Sequence, residues 1–426
     1  MATDVDVQYF SHLNGLTLGN NWGDLIRLLD KALVTGIDFT SITAASIDAQ
    51  GDVHITLYAA HNAMLFQVVE LSGFTPASLN QKYRIKGVPS TTELILKPHT
   101  AITETSITTV GAGKLAPLGY EIIFRDQNDV KRVYRAKNPR SEHPFIRVDE
   151  SLTSPDGTTG VYTSAYAKYA MVGLLEHMEH IDDYENPDVL QLPFNSTDPA
   201  RNWKITGTGT AVKRGWAHWY WATNNTNGGY IRQAAGPINA DRKFTIVGDS
   251  DAFYLSVGMN TLTAKALWGC GLFDASISDN TKPHWFLMSG LTHVSANADL
   301  QIGLSPGFSA LTIGNTACTF QVTPIGLIDD TVTATPIVPD WLSGSSNIYG
   351  ANGISALQIP FKDSANYLRG VLKHVCYMGK SVGSADTTPI IEDASMYVKE
   401  NVRNTSNNMA VDSFGGGVYF YLGELE

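Results

Sequence analysis

Lys243-Phe-Thr-Ile-Val-Gly-Asp-Ser-Asp-Ala-Phe-Tyr-Leu-Ser-Val257 holds two β-prone runs around one tight turn. Phe244–Val247 and Ala252–Val257 are rich in β-branched and aromatic residues, and Gly248-Asp249-Ser250-Asp251 between them favours a turn. The stretch predicts a hairpin buried in a β-rich body. Asp249 and Asp251 read as turn residues whose side chains bond the backbone, rather than as a ligand pair.

Working outward, the composition agrees with that hairpin. Of the 426 residues, 43% are hydrophobic and only 17% charged, with 38 glycines, so a sizeable core joined by turns is expected. The length predicts two or three domains. A net charge of −11 argues against a nucleic-acid surface, because phosphate contacts need clustered Lys and Arg. The basic run Lys131–Lys137 alternates with Val133 and reads as a solvated strand face. Three distant cysteines, Cys270, Cys318 and Cys376, form no CxxC pair, so they read as free thiols. The first residues lack a secretory signal pattern, and no apolar run reaches the ~20 residues of a membrane span. The sequons at Asn195, Asn224 and Asn404 read as accidental.

Along the chain, Met1–Asn21 is polar and suggests a loop-like arm that orders against a neighbour. Trp22–Leu33 has helical spacing, with Gly36 as its stop. From Ile37 to Gly113, short alternating runs such as Val53–Leu57, Gln67–Leu71 and Glu93–Leu96 alternate with turn signals. They predict a small β-barrel or sandwich. Tyr120–Phe124, Arg132–Tyr134 and Phe145–Val148 open a larger β-sandwich-like body. Met171–Ile181 fits a helix or a strand. Pro336–Ala356 reads as a surface excursion, and Gly415–Gly423 as a terminal strand. The predicted organisation is therefore an arm and helix over 1–36, a small β module over 37–113, and a larger β body over 114–426.

Candidate chemistry is sparse. Gly111-Ala-Gly113-Lys114 lacks the spacing and the following hydroxyl of a phosphate loop, since Leu115 stands there. Glu176-His-Met-Glu-His180 imitates a metal site without a His-Glu-x-x-His spacing, and reads better as an exposed edge. Asp182-Asp183, Asp249/Asp251 and Asp329-Asp330 have no regular Ca²⁺-loop spacing, and a glycosidase pair is defined by a separation in space. No catalytic, cofactor or metal residue is predicted. Trp216, Trp219, Tyr220 and Trp221, near Trp203 and Tyr230, form the densest aromatic cluster; core or subunit-interface packing explains it better than sugar stacking.

Several segments in order resemble the structural proteins of tailed-bacteriophage virions found in tail and baseplate gene clusters. Val69-Glu-Leu-Ser-Gly-Phe-Thr-Pro-Ala-Ser-Leu-Asn-Gln-Lys-Tyr-Arg-Ile-Lys-Gly-Val88 is similar to a run in that family's small β module. Lys114–Arg125, leading to Val133-Tyr-Arg135 and Phe145–Asp149, is similar to its passage into the main body. Phe244–Leu255 matches its most recognisable hairpin, with Ser250-Asp251 replacing the usual Gly-Arg. Tyr367–Leu372 is a fainter echo without the proline–glycine continuation.

The resemblance implies a non-enzymatic virion component, assembled in the host cytoplasm. It would oligomerise and meet other tail or baseplate proteins, with no cofactor and no nucleic acid. A receptor- or carbohydrate-binding tail module and a neck or collar protein are the alternatives, and a β-rich glycan hydrolase the more distant rival. Expected interface anchors are the N-terminal arm, Trp22, Trp216, Trp219, Trp221, Tyr419 and Tyr421, because interfaces need a desolvated apolar centre.

Overall fold

The structure, a computed structural model, describes residues 3–209, 212–223, 230–232, 236–237, 239–258, 265–277, 282–291, 301–303, 309–311, 318–325, 331–338, 356–378, 386–402 and 417–426. It is mainly β, with 47% of residues in strands and 7% helical. Most of the Pro336–Ala356 excursion, Asp329-Asp330, two sequons (Asn224, Asn404) and the first residues of the Gly415–Gly423 run lie outside the described residues.

The predicted hairpin forms, as strands Phe244–Gly248 and Ala252–Val257 in antiparallel register from Phe244↔Val257 to Gly248↔Phe253. Its turn is closed by Asp249, whose Oδ1 accepts the backbone N–H groups of Asp251 at 2.8 Å and Ala252 at 3.1 Å. Gly248 is required by close approach, since a Cβ there would lie 2.1 Å from the Ala252 carbonyl oxygen. Gln8–Ser11 pairs along one side of the hairpin and Ala266–Leu272 along the other. Every residue of both hairpin strands is buried.

The next strand, Trp285–Leu291, is a branch point. It pairs with Ala266–Leu272, with Ala217–Ala222 and with Cys318–Val322. One branch continues through Ala217–Ala222, Lys168–Leu175, Phe145–Asp149, Lys131–Ala136 and Tyr120–Arg125. The other runs through Val332–Pro336, Leu357–Asp363, Leu368–Tyr377, Gly417–Glu424, Ser395–Asn401 and Thr388–Glu392. The ambiguous Met171–Ile181 resolves as the end of the strand Lys168–Leu175 followed by turns. All eight residues of that strand are buried, so it has no polar face to produce a clean alternation.

Residues 37–115 form a separate seven-stranded antiparallel sheet. Its order is Ile37–Asp38, Ala112–Leu115, Val68–Ser72, Lys82–Ser90, Glu93–Pro98, Val53–Leu57, Ile42–Ile47. The first and last members are consecutive stretches of one extended run, so the sheet curls back toward itself as a partly open barrel. Val53, Ile55 and Leu57 point into it and are buried, as the alternation predicts.

The helix also forms, as an α-helical stretch Asp24–Leu29 continued by a wider turn Asp30–Thr35. Leu25, Ile26, Leu28, Leu29 and Leu33 are buried, and Gly36 ends the run at φ +71°. Its start is capped from a distance, because the Glu150 carboxylate accepts the N–H groups of Gly23 and of Ile26 (2.9 Å). Burial pushes the Glu150 acid up to about 8 despite those two donors.

The N-terminal arm corrects the sequence reading. Thr3 to Ser11 is not a loop extended toward a neighbour. Its strand Gln8–Ser11 fills the chain's own core, and Val5, Val7, Tyr9 and Phe10 are buried. Polar character misleads here because the buried Gln8 side chain substitutes for a peptide group. Its Nε2 donates to the carbonyls of Val68 and Ala116 (both 2.8 Å), and its Oε1 accepts from Val68 N–H at 2.9 Å. The arm thereby ties the barrel to the hairpin sheet. Arg84 completes that tie from the barrel side. With its side chain fully buried, it donates to the carbonyls of Asp4 (2.9 Å), Val7 (2.9 Å), Phe66 (2.7 Å) and Leu422 (2.9 Å).

Candidate functional site

The six aromatic anchors do not form one site. Trp219 and Trp221 are fully buried in the strand Ala217–Ala222, as core packing requires. Trp219 meets Phe253 of the hairpin edge-to-face at 5.8 Å, and its indole N–H donates to the Met288 carbonyl at 2.8 Å. Trp22, half-buried, meets Trp221 edge-to-face at 5.9 Å. The fully buried Arg214 guanidinium lies 5.0 Å from the Trp22 ring and 4.4 Å from that of Tyr169. Trp216 stands apart, half-buried under the Arg201 guanidinium at 4.8 Å. Tyr419 and Tyr421, on the C-terminal strand, pack on either side of Tyr397 at 5.8 and 5.4 Å.

The charged centre lies at the tip of the hairpin. Asp251 accepts from His143 Nε2 at 2.8 Å, Arg140 Nη2 at 2.9 Å and Lys373 Nζ at 2.7 Å. His374 Nε2 lies 3.0 Å from Asp249 Oδ2, and Lys373 also reaches Asp274 at 3.4 Å. The turn thus gathers the loop before Phe145–Asp149 and the middle of Leu368–Tyr377. The bond from His143, with those from Lys373 and Arg140, holds the Asp251 carboxyl far below the usual carboxylate range. Asp249 is lowered as well, His374 outweighing the cost of burial together with the turn N–H bonds.

Beside this network opens a cleft of about 470 Å³, walled by Arg140, Glu142, Glu176, Lys282, His284 and Lys373 over Leu272 and Phe273. Trp285 braces one wall by donating its indole N–H to the Glu142 carbonyl at 2.7 Å. Charges of both signs over an apolar floor suit contact with a charged loop of another protein better than an apolar small molecule.

Sequence reading identified the turn aspartates but missed Arg140, His143, Lys373 and His374. The one available signal was the alternation of charge and imidazole in Arg140-Ser-Glu-His143 and Lys373-His374. The metal lookalike is an exposed turn, where His177 Nε2 sits 3.6 Å from Glu179 Oε1 with both side chains largely in solvent. Among the described residues no group of three His, Cys, Asp or Glu side chains is placed to hold a metal ion. No described helix is long and apolar enough to cross a membrane.

Asp251→Asn tests the hub. It keeps the shape and removes the charge that three donors share, and about 1–3 kcal/mol of stability is expected to go with it. A carboxylate with a depressed folded pKa contributes fully above its unfolded value near ~4 and loses that contribution as pH falls further. Thermal melts of the two proteins should therefore differ by a constant amount from neutral pH to about 4 and converge in stronger acid. A gap that instead widened in acid would assign the network another role.

A scan against protein-family models finds no match to this chain, and a search of curated proteins finds no significant match either.

Proposed function

We propose that this chain is a non-enzymatic structural component of a tailed-phage virion, working through protein–protein interfaces in the tail or baseplate region. One observation supports the reading. The segments that carry the resemblance, far apart in sequence, pack as one scaffold in space. Val69–Val88 lies in the barrel, and Lys114–Asp149 runs from the barrel's last strand into the neighbouring meander. Phe244–Leu255 is the hairpin paired with the arm that Gln8 joins to both Val68 and Ala116. Tyr120 and Phe253 close the assembly ring to ring at 5.6 Å.

The charged cleft and the half-buried Trp22, Trp216 and Tyr421 are the surfaces offered to partners in this reading. The fully buried Trp219 and Trp221 serve it indirectly, by holding the scaffold rigid. Cryo-electron microscopy of intact particles is the direct test. The chain should appear in repeated copies around the tail axis; mature particles lacking it would overturn the proposal. Reproducible turnover of a host-envelope polysaccharide by the purified chain would favour the hydrolase alternative.

A further inference from the structure

We propose that the barrel strand Ile42–Ile47 pairs edge to edge and antiparallel with the same strand of a second copy of this chain, about a two-fold axis through Ala45. On its inner side the strand pairs with Val53–Leu57; as the last member of its sheet it has no strand partner on the other side among the described residues. Exposed edges are usually guarded by charges or proline. Here Phe39-Thr-Ser-Ile-Thr-Ala-Ala-Ser-Ile47 contains neither. Such an edge presents unpaired N–H and C=O groups as a template for another strand.

The sequence of the strand specifies which partner fits. A two-fold axis perpendicular to a sheet pairs residues that lie on the same face at equal distances from the axis. Ile42 is buried, Ala45 and Ile47 are half-buried against the core, and Ala44 and Ser46 are exposed. The register steps from Ile42↔Leu57 to Ala44↔Thr56, so Thr43 is the extra residue of a bulge. Counting across that bulge, Ala45 faces its own copy on the axis, Ala44 faces Ser46 of the second copy, and Ile42 faces Ile47. Each pair shares a face, and a small side chain sits on the axis itself. The flanking acid Asp48 falls opposite Ser41 of the second copy, so no like charges are opposed. This strand is therefore complementary to itself, including its irregularity.

The pairing stands apart from the virion reading, since a monomer in solution would leave other surfaces for assembly, and absence from particles would leave the edge unchanged. The test uses the full chain with Ala45→Cys and, as a positional control, Ala44→Cys, the unsubstituted chain giving the background from native thiols. Facing residues in such a pair have Cα atoms ~4.5–5.5 Å apart, within disulfide range, whereas two copies of residue 44 do not face each other. Sedimentation equilibrium should show a dimer. Mild oxidation should link Ala45→Cys into a covalent dimer at least about tenfold faster than Ala44→Cys, given how strict disulfide geometry is. A chain that stays monomeric overturns the proposal. So does a dimer in which the Ala45→Cys variant fails to link, or links no faster than the control.

Discussion

Arg84→Met will cost the fold about 3–5 kcal/mol: four carbonyls lose a charged donor together, each bond contributing ~1.5–3, and relief of the buried guanidinium's desolvation offsets part of that sum. Methionine fills much of the same volume, so the loss comes from donors rather than from a cavity. Burial lowers the guanidinium to about 10, which leaves it charged across the neutral range. The carbonyls it serves belong to the arm (Asp4, Val7), to the barrel (Phe66) and to the C-terminal strand (Leu422). Hydrogen exchange should consequently show both terminal segments losing protection before the barrel strands do. A loss of protection confined to the barrel strands would mean that Arg84 acts on the barrel alone.

The second large effect is expected at Lys265, which is fully buried. Its Nζ lies 3.0 Å from the equally buried Glu400 carboxylate and 2.7 Å from Asp386, with Thr245 and Thr387 hydroxyls each at 3.3 Å. Lys265→Met leaves Glu400 without its cation, and breaking such a pair on one side typically costs about 3–5 kcal/mol. Burial already raises the Glu400 acid above its ordinary range, and Lys265 is the largest influence opposing that rise. Without the lysine the rise grows, and a carboxyl with a raised folded pKa destabilises as pH climbs through the unfolded value toward the folded one. The variant should therefore melt closest to the unsubstituted protein in mild acid and furthest from it at neutral pH. Adding Glu400→Gln should recover part of the loss; a double variant as unstable as the sum of the two singles would show that the groups do not interact.

Much of this architecture is legible in the residues themselves. The hairpin is predicted by local chemistry alone, since Asp249 makes its turn bonds within three residues. The barrel strands are legible for a similar reason, because Val53, Ile55 and Leu57 alternate with residues of a half-exposed face. Strands buried on both faces lose that alternation, which is why Lys168–Leu175 reads equally as a helix. Of the charged centre, little beyond its two turn aspartates is legible. Asp251 meets His143 across 108 residues and Lys373 across 122, and no short window records such pairings. The arm misleads for a chemical reason: Gln8 looks like a surface residue until its amide is seen bonding to main chain at Val68 and Ala116.

The interlacing of the two terminal segments also sets an order of events during synthesis. Gln8–Ser11 leaves the ribosome well ahead of its pairing strand Phe244–Gly248, which is made more than two hundred residues later. The fourth carbonyl on Arg84 belongs to Leu422, so the barrel cannot complete its central contact until translation has nearly run through the described chain. Loop closure over such separations is slow. The nascent arm must wait unpaired, and an early-made edge such as Ile42–Ile47 is then open to other chains on the same polysome.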